Sequence, residues 1–274
     1  MSTSKHRKKK SSAPPLPPFL LPALGVVLLL VTILLLGRLG TSTSPGTEPT
    51  LPTPEANPYQ PADFAYDGAY LTCTTADTKL GIDVSEHQPI IDWEAVKAAG
   101  VEYVMIRAGY RGYTEGQIFR DSCFESHLAG ARAAGLDVGV YFFSQAVTPE
   151  EAAEEARFLL SVLGGQKLEI GVAFDWEFVS GDARTAQMDG RTLTDCAITF
   201  CEAVAKKGYD PIVYFNQDQA ENMYLLEELT DYSFWLAMYT DQMTFPYKVD
   251  LWQYTEDGAV PGIEGNVDVN LYLP

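Results

Sequence analysis

The feature that most constrains the fold is a rhythm that starts at Leu80 and breaks off after Asn216. Short apolar runs, Leu80–Ser85, Tyr103–Ala108, Asp137–Ser144, Ile170–Glu177 and Pro211–Asn216, alternate with segments of helical spacing. The helical segments carry their own punctuation. Asp92 stands where an N-cap belongs before Trp93–Ala99, with Gly100 behind it. Gly135 stops Phe124–Ala134, Thr148-Pro149-Glu150-Glu151 opens a helix that runs to Gly164-Gly165, and Gly208 follows Leu193–Lys207. Three more apolar runs then follow, Ser233–Tyr239, Leu251–Thr255 and Asn266–Tyr272, with no long amphipathic segment between them. Parallel strands need crossovers and antiparallel strands do not. The expectation is therefore an α/β fold, an irregular TIM-like barrel of about five β/α units followed by three strands.

Within that frame the acids are informative. On Ile170–Glu177, strand alternation puts Asp175 and Glu177 on one side with Ala173, and Val172, Phe174 and Trp176 on the other. Carboxylates on an apolar strand are costly unless solvated or paired, so this strand end belongs at an open cleft. Paired carboxyls of this kind are what acid-catalysed glycosidic cleavage requires; surface acids or a structural ion pair are the plainer reading. Asp83 lies alone on one face of the first strand, opposite Ile82 and Val84, and on the last strand Asp268 and Asn270 oppose Val267 and Val269. In a closed barrel the last strand lies beside the first, which lets Asp268 approach Asp83. Arg107, on the inward face of its strand, needs a carboxylate partner, and these acids are candidates.

The N-terminal region is of another kind. Residues 1–37 hold five Lys/Arg and no acid, leaving 14 basic against 37 acidic residues in the remainder. A body that acidic argues against a nucleic-acid partner. Residues 1–18 form a basic tail, and Phe19–Gly37 is an uncharged run that would span roughly 28 Å as a helix, enough to cross a bilayer. The flanking charges place the N-terminus in the cytoplasm and the rest outside, in a single-pass membrane protein. A cleaved signal peptide, giving a secreted protein, is the alternative. A Pro/Thr-rich stalk is expected over 38–70 and the folded domain over 71–274.

Nine motifs in order, Gly81-Ile-Asp-Val-Ser85, Ile91-Asp-Trp93 with Val96-Lys97, Ile106-Arg-Ala108, Ala133-Ala-Gly-Leu136, Gly139-Val-Tyr141, Asp175-Trp-Glu177, Trp235-Leu-Ala237 with Tyr239, Trp252-Gln-Tyr-Thr255 and Val267-Asp-Val-Asn270, resemble glycoside hydrolase family twenty-five, the Chalaropsis-type lysozymes. The resemblance implies an N-acetylmuramidase that cuts the β-1,4 bond between N-acetylmuramic acid and N-acetylglucosamine in peptidoglycan, without a cofactor. It implies Glu177 as general acid, Asp175 assisting on the same strand, and Asp83 and Asp268 completing the cluster. It favours a retaining mechanism, with either the substrate acetamido group or Asp175 as nucleophile. Tyr141, Tyr214, Tyr239 and Trp252 lie on or near strands and are candidates to stack on sugars, against a plain core role. A non-catalytic wall-binding module and a hydrolase of another amino-sugar polymer such as chitin are the competing functions.

His87 and His127 lack any ligand spacing and read as loop or surface histidines; no Cys or His spacing suggests a metal site. Cys73, Cys123, Cys196 and Cys201 allow three pairings. Cys196 and Cys201, five apart on one helix, lie roughly 7.5 Å apart along its axis, beyond disulfide reach. That leans toward Cys73 with Cys123, and leaves buried free thiols open.

Overall fold

A computed structural model describes residues 51–274. In chain order its elements are the hairpin β1 (Phe64–Asp67) and β2 (Tyr70–Cys73), then β3 (Lys79–Val84), α1 (Trp93–Ala98), β4 (Tyr103–Arg111), β5 (Ile118–Arg120), α2 (Phe124–Ala133), β6 (Asp137–Ser144), α3 (Pro149–Leu163), β7 (Gly171–Trp176), α4 (Gly190–Ala205), β8 (Pro211–Asn216), α5 (Gln217–Asn222), β9 (Ser233–Ala237), β10 (Leu251–Gly258) and β11 (Val267–Tyr272). The basic tail, the anchor at 19–37 and the first part of the expected stalk lie outside the described residues. Among the described residues no helix is long and apolar enough to cross a membrane.

The punctuation read from the sequence is used as expected. Asp92 accepts from the Ala95 amide at 3.1 Å, Thr148 from Glu151 at 3.4 Å, and Gly164 closes α3 at φ 57°. Strands β3, β4, β6, β7, β8, β9 and β10 pair in parallel in that order. β11 runs antiparallel to both β10 and β3 and closes a barrel of eight strands. Alternation along each strand divides the apolar side chains into two layers. Tyr103, Met105, Tyr141, Ala173, Ile212, Tyr214, Trp235 and Leu251 fill the lumen, whereas Val172, Phe174 and Trp176 face the helices. Gly81 is glycine for a packing reason: a Cβ there would stand 2.2 Å from the Tyr103 ring.

Three elements escaped the sequence reading. β5 is a short antiparallel strand on the far end of β4, α5 follows β8 without a linker, and β1–β2 falls partly in the expected stalk. The described part of that stalk is bound to the barrel rather than free. Ala56 bridges to Tyr247, Asn57 Nδ2 donates to the Phe245 carbonyl at 2.8 Å, and Tyr59 Oη donates to that of Pro274 at 3.2 Å. The physical cause is the missing helices after β9. The outer face of β10 would otherwise meet water, and the hairpin covers it: Phe64 packs edge-on against Trp252 at 5.0 Å, and the Leu71 amide donates to Tyr254 Oη at 3.3 Å.

All four cysteines are free thiols, so the Cys73–Cys123 pairing does not form. Cys73 sits in the hairpin on the β10 side, where Thr75 Oγ1 is 3.3 Å from its sulfur, while Cys123 precedes α2, which packs on β4 and β6. Cys196 and Cys201 are buried on α4, and burial pushes the Cys196 thiol up to about 12.

Candidate active site

The parallel strands deliver their C-terminal ends to one face, and a cleft of about 320 Å³ opens there. Asp83, Asp175, Glu177 and Asp268 all line it. Asp83 and Asp268 are direct register partners across β3 and β11. Asp175 is the penultimate residue of β7, and Glu177 lies one residue beyond its end. Past the sheet, side chains take over the holding of the backbone: Gln145 Nε2 donates to the Glu177 carbonyl at 2.8 Å, and Gln219 Nε2 to that of Trp176 at 2.7 Å.

Each acid has a different electrostatic setting. Asp83 is buried, and its Oδ2 accepts from Gln253 Nε2 and Asn270 Nδ2, both at 2.8 Å. Burial raises its proton affinity, and these two amides, with a hydrogen bond from Asp268, pull it back. Asp268 is pushed up to about 9, first by burial and then by the Asp83 charge beside it. Burial, then the Glu177 and Asp83 charges, hold Asp175 well above the usual carboxylate range, with Arg107 opposing. Glu177 is raised by burial and by Asp83, and it shares a hydrogen bond with Asp175 that favours its anion. Asp175, the deeper of the two, is raised the more strongly, and the two carboxyls titrate as a pair. Asp175 Oδ1 is buried with no hydrogen-bond partner among the described residues.

The aromatics divide. Tyr141 and Tyr214 line the cleft at 8% and 7% exposure, and Tyr239 stands at its rim, 51% exposed. Trp252 does not reach it. The indole is fully buried on the outer face of β10, its Nε1 donating to the Met238 carbonyl at 2.9 Å, because alternation turns its neighbour Gln253 inward instead. Gln253 and Trp235 were missed as site residues in the sequence, and Asn270, read on the same face as Asp268, was given no role there. Tyr214 and Tyr239 donate to Gln253 Oε1 at 2.9 and 3.2 Å, and Trp235 Nε1 donates to Asn270 Oδ1 at 2.8 Å. A polar residue on the inward face of an apolar strand, the signal that singled out the acids, marks Gln253 and Asn270 too.

Arg107 lines the cleft but pairs with none of the four acids. Its Nε meets Asp121 Oδ2 at 2.8 Å and its Nη2 meets Glu86 Oε1 at 3.2 Å. The buried Asp121 comes from the segment after β5, the element the sequence hid. His87 is exposed at the cleft rim, in keeping with a loop histidine. His127 is not a surface residue: it shares the buried face of α2 with Phe124, Leu128 and Ala131, its Nε2 lies 3.2 Å from the Ser85 carbonyl, and burial lowers its proton affinity. Among the described residues no group of three or more His, Cys, Asp or Glu is arranged to hold a metal ion.

Such a site can donate a proton to a leaving oxygen and stabilise developing positive charge next to it. The sequence pattern of glycosyl hydrolases family 25 matches residues 82–263, from the first acid's strand past β10. The chain belongs to this family. Among its family-25 relatives, the autolytic lysozyme of Clostridium acetobutylicum is 29% identical over 192 residues, which cover 69% of this chain and 54% of that protein. The N,O-diacetylmuramidase of Arthroderma benhamiae is 28% identical over 149 residues, 53% of this chain and 60% of that protein. The modular autolysin LytC of Streptococcus pneumoniae, solved with a synthetic peptidoglycan ligand, superposes with a TM-score of 0.62 at 25% identity, covering 72% of this chain and 47% of that one. The chain thus spans about half the length of the first of these relatives.

Proposed function

We propose that this family-25 protein is a peptidoglycan muramidase, hydrolysing the β-1,4 bond between N-acetylmuramic acid and N-acetylglucosamine with retention of configuration. One observation carries the reading: four acids from opposite ends of the chain meet in a single cleft, where burial and mutual repulsion raise their proton affinities. The family's lysozyme and diacetylmuramidase members support the substrate.

Glu177 is the general acid in this reading, as the less buried of the pair. Positive charge developing on the sugar beside Asp175 favours the Asp175 anion, so the proton of the pair is held by Glu177, which delivers it to the leaving oxygen. The unpartnered Asp175 Oδ1 is then free either to accept from the substrate's acetamido N–H while that group attacks, or to attack itself. Asp83, anchored by Gln253 and Asn270, keeps both proton affinities high.

The basic tail, the apolar run at 19–37 and the Pro/Thr-rich segment support an uncleaved single-pass anchor, with the domain outside the membrane and acting on the cell's own wall. Incubation with purified peptidoglycan, followed by identification of the new reducing ends, tests the activity. Muramic acid ends support it; glucosamine ends or no release overturn it. Membrane fractionation with protease accessibility tests the anchor.

A further inference from the structure

On one side the cleft continues outward as a row of aromatic rings. Asp175 on β7 is the register partner of Phe143 on β6, Phe143 of Tyr110 on β4, and Tyr110 of Phe119 on β5. Cross-strand partners share a face, so the three rings stand on the face that carries the Asp175 carboxyl. Three strand spacings of about 4.8 Å carry the row about 14 Å from the acid, the length of a short oligosaccharide. Exposure grows along it: Asp175 is buried, Phe143 and Tyr110 are half-buried, and Phe119 is 43% exposed.

Continuity with the cleft is explicit. Phe143 and Arg107 both line it, and the Arg107 guanidinium lies 5.0 Å from the centre of the Tyr110 ring. Tyr110 in turn stacks on Phe119, centroids 5.3 Å apart at 28°. A register shift between Arg107 and Gly109 brings Arg107 and Tyr110 onto one face. β5 is not a barrel strand. β3 pairs with β4 only as far as Ile106, and β5 takes the edge from Gly109 to Arg111, so the sheet fans outward at the rim. Gly109 permits this approach, since a Cβ there would stand 2.5 Å from the Phe119 carbonyl oxygen.

We propose that Phe143, Tyr110 and Phe119 form a ramp on which sugars of the glycan strand stack several units away from the bond being cut. The inference rests on the muramidase reading, and its occupant is the apolar face of a pyranose ring, which an aromatic face accepts without demanding a fixed hydrogen-bond pattern. The test compares kcat/KM on long, peptide-stripped peptidoglycan strands with that on a tetrasaccharide of two disaccharide repeats. In Phe119→Ala the long-to-short ratio falls by about 3- to 10-fold, the worth of one aromatic face contact. Phe119→Trp restores it. A wild-type ratio in Phe119→Ala, or a loss that Phe119→Trp leaves in place, overturns the ramp while the wild-type enzyme still cuts the strands. A wild-type protein that cuts neither substrate overturns the muramidase reading itself.

Discussion

Replacing Asp268 by asparagine should make this protein more stable, by an amount that depends on pH. Folding raises the Asp268 carboxyl from 3.8 to about 9, through burial and the neighbouring Asp83 charge. Between those values the folded state holds a proton that the unfolded state has released, so stability present at low pH is lost as pH rises through the window. Each unit corresponds to 1.36 kcal/mol, so an isolated site would lose about 4 kcal/mol between about pH 4 and about pH 7. Asp268 is only half-buried and exchanges its proton with Asp83, which reduces the expected figure to about 1–3 kcal/mol. Asparagine is neutral at every pH and keeps a donor toward Asp83. Urea unfolding should find Asp268→Asn more stable than wild type by about 1–3 kcal/mol near pH 7, and nearly equal near pH 4. A difference of the same size at both values, or a less stable variant near pH 7, would refute the reasoning.

Three further outcomes are expected. Glu177→Gln lowers hydrolysis by about 10³-fold with an unchanged melting temperature, the scale of a lost general acid; activity within about tenfold of wild type removes Glu177 from that role. Asp83→Asn moves the alkaline limb of residual hydrolysis to lower pH, because the Asp83 charge helps raise both Asp175 and Glu177; a pH profile that does not move contradicts the coupling. Trp252→Phe costs about 1–3 kcal/mol in urea unfolding through the lost Met238 hydrogen bond and packing, and leaves KM for glycan as it was. A raised KM with full stability would place Trp252 at the substrate after all.

The barrel and its acids were legible because they depend on short-range patterns. Alternation placed Asp83, Asp175, Glu177 and Asp268 on inward faces, and the lack of long amphipathic segments between the last three apolar runs announced the plain strands. What alternation alone does not rank is which side of a strand is the lumen when both carry large side chains. Trp252 and Gln253 show this: the indole looks like a sugar platform, yet the amide faces the cleft. Partners supplied by unseen elements were also hidden. Asp121 follows a three-residue strand, too short to leave a periodic trace, so Arg107 was offered the wrong carboxylates. The hairpin β1–β2 has a single buried residue in its first strand, so a Pro- and Thr-rich neighbourhood masked it.

The route by which the chain enters the barrel has a mechanical consequence. Glu55, Ala56, Asn57 and Tyr59 are fastened to residues 245–248 and to Pro274, at the pole where β10 starts and β11 finishes. The catalytic mouth opens at the opposite pole. The segment that leads into the barrel is therefore fastened at the end remote from the acids, and its contacts leave the cleft lining untouched. In chain order the Lys248–Glu55 and Ala56–Tyr247 contacts come first and the Phe64 cover over Trp252 next, all ahead of the first barrel strand.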